Sequence, residues 1–196
     1  MKNSIENLLM KTETEKINLI KLSEEFADQI KAFRDEFFAA RPEGTKYLGL
    51  EGAGLLWQFE NPYDWIEHSR LCENKETLPD KDLVTATQYI FVRETDKKII
   101  GMIQFRHYFN DFLEKFGGHI GYSVCPSERK KGYATLMLAE CLKEIRKNSN
   151  IKKILLTCKT TYEASRKVII ANGGVYENTV YCESENYELE RYWITI

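Results

Sequence analysis

Histidine is scarce in this chain, and cysteine never comes in pairs. The three histidines stand at 68, 107 and 119, scattered without the spacing of metal ligands. The five cysteines, Cys72, Cys125, Cys141, Cys158 and Cys182, are odd in number and form no C-x-x-C. Neither a zinc site nor a disulfide framework is suggested. Cys125, Cys141 and Cys158 lie in apolar patterns, where a reduced cysteine acts as a small hydrophobe. No apolar run is long enough to span a bilayer, and the opening MKNSIENLLMKTETEK lacks the apolar core of a signal peptide. The cytoplasm is the compartment these absences imply, with no membrane partner. An excess of one charge is missing too. The net charge is −2, so no global positive field recruits nucleic acid or anionic lipid. Any phosphate binding must come from a local site.

What is present fits one domain over residues 1–196, with 43% apolar residues for its core. Residues 1–16 are polar and expected to dock loosely. Ile17–Leu22 reads as a strand. Ser23, Glu24 and Glu25 then open a helix to about Ala40, its apolar stripe being Phe26, Ile30, Phe33 and Phe37. Arg41–Gly54, with one proline and four glycines, reads as a loop anchored by Tyr47, Leu48, Leu50 and Leu55–Trp57. Asn61-Pro62 starts a second helix reaching about Glu73. Thr85–Arg93 and Lys98–Tyr108 alternate as paired strands about the turn Glu94–Lys97, and Gly118–Cys125 is another strand. Lys131–Lys147 is amphipathic, with Ala134, Met137, Leu138, Cys141, Leu142 and Ile145 inward. Ile151–Cys158 is a short strand. Thr160-x-x-Glu163 is expected to form a capping box before the next helix, which Asn172-Gly173-Gly174 stops. Val175–Tyr181 and Tyr187–Thr195 close the chain as a hairpin.

The informative segment is Gly118–Ala134, GHIGYSVCPSERKKGYA. A strand ends at Val124-Cys125, Pro126 cannot continue its ladder, and the chain turns into the amphipathic helix. The first N–H groups of that helix have no intrahelical partner, and its dipole places partial positive charge there. Gly132 lets backbone approach a ligand closely. Arg129, Lys130 and Lys131 add cations that oppose the dipole by about 0.3–1 kcal/mol each unless an anion binds. Strand, basic glycine loop and helix start together suit a pyrophosphate. Neither G-x-x-x-x-G-K-[ST] nor G-x-G-x-x-G after a strand occurs, which argues against a nucleotide-hydrolysing loop and a Rossmann site.

The run V-x-P-x-x-R-x-x-G-x-A, at Val124, Pro126, Arg129, Gly132 and Ala134, resembles the acyl-CoA-binding motif of the GNAT superfamily of N-acyltransferases. A later family pattern matches in part at Ser165, Val168 and Gly173. Tyr162 stands where an asparagine often contacts pantetheine, and Ile169 where a tyrosine often serves as general acid. The runs at Gly117–Val124, Ser127–Ala134, Leu156–Cys158 and Ala164–Gly174 are similar to a bacterial subgroup of predicted acetyltransferases. The resemblance implies an α/β fold: a mixed, twisted central sheet with flanking helices, the cofactor lying between two splayed parallel strands, Gly118–Cys125 and Ile151–Cys158. It also implies acetyl-CoA (coenzyme A) as co-substrate, contacted by Tyr122, Ser123, Val124, Arg129, Lys130, Lys131, Gly132, Tyr133, Ala134, Tyr162 and Ser165. The thioester carbonyl would sit near a backbone N–H, with Val124 the candidate. Gly121, on one strand face with His119 and Ser123, makes room for either a pantetheine arm or helix packing.

His119 is the candidate for proton handling, since an imidazole near its reference pKa of about 6.5 can act as base. The alternative for it is a structural hydrogen bond. His107 and Asn110 end a strand that would border the acceptor cleft, with capping the simpler role. The expected reaction is direct transfer of an acyl group to a small-molecule or peptide amine. A silent CoA-binding sensor is the alternative, and the acidic balance disfavours nucleic acid. The sequence leaves room for a homodimer and does not identify the acceptor.

Overall fold

The computed structural model describes residues 15–44 and 50–196. Residues 1–14 and 45–49, including the expected anchors Tyr47 and Leu48, lie outside the described residues. In chain order the elements are β1 (Ile17–Lys21), α1 (Ala27–Ala39), α2 (Pro62–Leu71), β2 (Ala86–Arg93), β3 (Lys98–Arg106), β4 (Ile120–Val124), α3 (Tyr133–Asn148), β5 (Lys153–Lys159), α4 (Glu163–Ala171), β6 (Val175–Cys182) and β7 (Tyr187–Thr195). Short single turns connect several of them. The N-terminal segment is better docked at its end than expected: Lys16 accepts from Glu94 N–H at 3.0 Å, and Glu15 accepts from the Tyr133 hydroxyl.

Two antiparallel sheets, ordered β1-β2-β3-β4 and β5-β7-β6, meet where β4 lies beside β5. The first sheet is covered on both faces, which explains why β2 and β3 read as nearly continuous apolar runs. Ile90, Val92 and Met102 face Phe33, Phe37 and Trp65 on the side of α1 and α2. Their neighbours Tyr89, Phe91 and Ile103 face Leu136, Met137 and Cys141 of α3, together with Ile154 and Leu156 of β5. The period-two alternation of each strand thus feeds two separate cores.

Local chemistry accounts for most boundaries. Ser23 caps the single turn at Glu24–Phe26 through the Glu25 N–H, and Asn61 caps α2 through the Tyr63 N–H with Pro62 inside the first turn. Gly173, at φ +88°, follows the last turn of α4. The expected capping box at Thr160 does not form. The N-cap of α4 is Tyr162 and makes no side-chain cap bond, while Glu163 pairs instead with Lys167 at 2.8 Å. The Thr160 carbonyl accepts from Arg166, which itself holds Glu190, so a tertiary ion pair sets this helix start.

Candidate active site

The β4–α3 junction carries the phosphate-loop features read from sequence. Lys130 at φ +62° and Gly132 at φ +87° bend the backbone into α3, whose N-cap is Gly132. No side chain caps this helix, so its first N–H groups are left to an external acceptor, with the positive end of the dipole behind them. The cations are deployed otherwise than expected. Lys131 Nζ lies 2.8 Å from Glu128, which also pairs with Arg93 at 3.2 Å and Lys98 at 3.4 Å. Burial of Glu128 would raise its pKa, but hydrogen bonds from Lys131 and Arg93 outweigh burial and hold it at about 2. Arg129 donates from Nε to the Val124 carbonyl at 3.2 Å and stacks on Phe37. Among these basic side chains, two therefore brace the loop, and Lys130 is exposed beside the uncapped helix start.

The β4/β5 gap follows from hydrogen-bond alternation. Cys125 N–H donates to Ile100 O and Arg106 N–H to His119 O, both at 2.8 Å. The odd-numbered residues of β4 thus bond to β3, and the N–H and C=O of Ile120, Tyr122 and Val124 point the other way, toward β5. Ser123, in register with Met102, bonds its backbone to β3. At the start of β4, His119 N–H donates to Leu155 O at 2.8 Å, and Leu155 N–H donates to His119 Nδ1 at 2.9 Å. Further along, the Tyr122 hydroxyl lies 2.9 Å from Ser165 Oγ, beyond the C-terminal end of β5. The strands therefore run in the same direction from a pinned start. Among the described residues no ladder joins them past it. The even-numbered backbone groups of β4 and the odd-numbered ones of β5 are presented to whatever enters between them. Tyr162 stands at the N-cap of α4 with Lys159 Nζ 5.6 Å from its ring centroid.

His119 is the pin of this joint. It is buried, Phe109 lies against its ring at a centroid separation of 3.9 Å, and burial with the nearby Arg106 charge lowers its pKa to about 4. Its Nδ1 lone pair accepts from Leu155, which leaves Nε2 to carry the proton of the neutral ring. Gly121 is explained by a different neighbour from the expected pantetheine or helix. A Cβ there would lie 2.9 Å from the Gly52 nitrogen and 3.2 Å from Arg106 Nη2. His107 bridges the hydroxyls of Thr85 and Thr87 at 2.9 Å each, and Asn110 bonds the Asp82 carbonyl and Leu113 N–H. Both act as strand-end caps. Ile169, at the position of the expected tyrosine, is fully buried.

Beside β3 and β4, on the face of Gly121, lies a cavity of about 540 Å³. Its polar lining includes Glu51, Asp82, Gln104 and Arg106, and its apolar walls include Leu55, Trp57, Phe112 and Leu113. Leu55 and Trp57 are 39% and 52% exposed, so they are walls of this opening and not the buried anchors expected. Leu50 and Leu56 do the anchoring. Gln104 and Arg106, two apart in an otherwise apolar strand, carried a sequence signal for a shared polar face. Glu51 carried none.

The described residues thus combine an uncapped helix start, a parallel strand pair without a ladder past its first residues, and a cavity beside β3. The chain belongs to the acetyltransferase (GNAT) family, whose sequence profile it matches over residues 51–170. It is thus an acyl-CoA N-acyltransferase by family, with acetyl-CoA as co-substrate. Solved structures agree in fold. A RimL ribosomal L7/L12 alpha-N-protein acetyltransferase, crystallised with coenzyme A, is similar at 14% identity and TM-score 0.65, covering 92% of this chain and 94% of that one. A ribosomal-protein-S5-alanine acetyltransferase from Vibrio fischeri is similar at 18% identity and TM-score 0.64, covering 91% and 92%. The microcin C7 self-immunity acetyltransferase MccE, with acetyl-CoA and AMP, is similar at 16% identity and TM-score 0.64, covering 92% of each. No curated protein sequence matches the chain. No described helix is long and apolar enough to cross a membrane.

Proposed function

We propose that this chain acts as one domain that transfers an acetyl group directly to an amine held in the cavity beside Gly121. The observation that carries this reading is the uncapped start of α3 next in the chain to the gap-facing backbone of Tyr122 and Val124. The N–H groups of Gly132, Tyr133 and Ala134, with Lys130 beside them, hold the pyrophosphate. Tyr122 and Val124 pair with the pantetheine arm, flanked by Tyr162 and Ser165. The Val124 N–H is the donor for the thioester oxygen, since Arg129 already occupies the Val124 carbonyl. Acetyl-CoA supplies an activated acyl group, and no enzyme nucleophile is required. The five cysteines, all free and buried, are assigned no covalent role and suit a reducing cytoplasm.

In the transfer, the C–N bond forms as the C–S bond breaks, the amine loses a proton and the thiolate gains one. We assign the first proton to Glu51, the carboxylate that lines the cavity next to Gly52 and Arg106. His119 is proposed as a positioning residue, because its Nδ1 lone pair is engaged by Leu155. Tyr122, hydroxyl-bonded to Ser165, is the phenol proposed to return a proton to sulfur in place of the residue at Ile169. The test combines binding and turnover. Coenzyme A should raise the melting temperature of the wild type and leave Gly132→Glu unchanged, and the wild type should release free thiol from acetyl-CoA with an amine present. Binding without thiol release over a broad amine panel would make the chain a sensor.

A further inference from the structure

Arg106 is a cation with little to hold it. Its Nη1 donates to the carbonyls of Gly117 and Gly118, both at a long 3.3 Å. A guanidinium carries five N–H donors on three nitrogens. Among the described residues, Nε and Nη2 make no hydrogen bond, and Arg106 forms no ion pair. Burial accordingly pulls its pKa down to about 10, with the Glu51 charge opposing that shift. Removing a charge from water against two carbonyls, with Glu51 acting only from beyond ion-pair distance, is unfavourable, and arginine is the side chain whose planar fork matches a carboxylate.

Its position narrows the ligand. Nη2 lies 3.2 Å from the point where a Gly121 side chain would begin, three residues, or about 10 Å of strand, before the Val124 N–H proposed for the thioester. An anion on this fork is separated from the thioester carbonyl by roughly the span of one small acceptor, its amine reaching the carbonyl while its anionic end stays on Arg106. Glu51, lining the same cavity, offers the opposite charge to an ammonium. Beyond them the walls are apolar, formed by Leu55, Trp57, Leu83 and Phe112. We infer that the acceptor is a free α-amino acid with an apolar side chain, its carboxylate paired with Arg106 and its amine directed to the acetyl group. This deepens the transferase reading and rests on it. A peptide or protein N-terminus has its nearest carboxylate replaced by an amide and would leave the fork unmatched.

The experiment measures thiol release by the full chain with saturating acetyl-CoA against matched acceptors. These are leucine, phenylalanine and methionine as free acids, their α-amides, the corresponding amines without a carboxylate, and tripeptides beginning with the same residues. The wild type should show kcat/KM at least about 100-fold higher for a free acid than for its amide, amine or peptide. Arg106→Gln should reduce that ratio to below about five, mainly through KM of the acids. Arg106→Lys should restore part of the preference. The wild-type comparison stands alone if Arg106→Gln does not fold. Equal rates for acids, amides and peptides would overturn the carboxylate assignment and leave the transferase intact. Thiol release with none of the acceptors, while coenzyme A still raises the melting temperature, would overturn both.

Discussion

His119 shows how a single side chain can join two sheets. Its backbone N–H and its Nδ1 clasp the backbone of Leu155 from both sides. An asparagine can present Oδ1 where Nδ1 stood, whereas leucine leaves the buried Leu155 N–H without an acceptor. His119→Leu should therefore cost about 1–3 kcal/mol and weaken coenzyme A binding, while His119→Asn costs less than half as much. Denaturant unfolding and thermal shift with coenzyme A check this. A base would behave differently, both variants losing kcat/KM by about 10²–10⁴ with coenzyme A affinity kept. Glu128 is the second telling residue. Its folded pKa of about 2 lies below the ordinary 4.5, so its contribution is present above about pH 4.5 and is lost as pH falls toward 2. Glu128→Gln should destabilise the protein at pH 7 by on the order of 3 kcal/mol, a penalty that shrinks by pH 3. A penalty equal at both pH values, in unfolding titrations, would trace the loss to packing.

At the scale of elements, β4 has two edges with separate duties. Its odd-numbered backbone groups build the β3 ladder, and its even-numbered groups face the gap. Proline at 124 removes an N–H on the gap side and leaves the ladder bonds of Ser123 and Cys125 intact. If the Val124 N–H is the oxyanion donor proposed above, Val124→Pro lowers kcat by about 10²–10³ with a small change in coenzyme A affinity. Initial rates with thermal shift measure both. Equal loss of binding and turnover would mean that strand geometry, not one donor, had been damaged. The start of α3 obeys similar logic. Its Gly132 cap and the Glu128 cluster hold the loop in shape, so the helix end can remain open to an anion.

At the scale of the whole molecule, the two sheets share the α3 core but are pinned through hydrogen bonds near one end of the β4/β5 seam. A ligand spanning that seam contacts both halves and binds only the folded chain. Coenzyme A at about 100 times its Kd should stabilise by about 2.7 kcal/mol, a rise of roughly 5–10 °C in melting temperature for a domain this size. Scanning calorimetry at graded concentrations measures it. Two separately shifting transitions would show that the halves unfold independently.

The element order, the amphipathic α3 and the glycine turn into its start were legible because each is written in local chemistry: periodicity, glycine at positive φ, a strand meeting a helix start. The Gly132 and Val124 motif led to the family on the same basis. Other features depended on partners distant in sequence. Lys131 and Arg129 read as free cations, yet a buried carboxylate and a strand carbonyl claim them. The Thr160 box yielded to the Arg166–Glu190 pair. Glu51 and Arg106, some fifty residues apart, share a cavity only because Gly52 packs on Gly121. Sequence by itself determined the strand, glycine turn and uncapped helix start proposed to cradle the cofactor, since short-range dihedral and hydrogen-bonding rules suffice for them. Tertiary structure alone decided the acceptor side, because the burial and charge pairing that define it are created by folding.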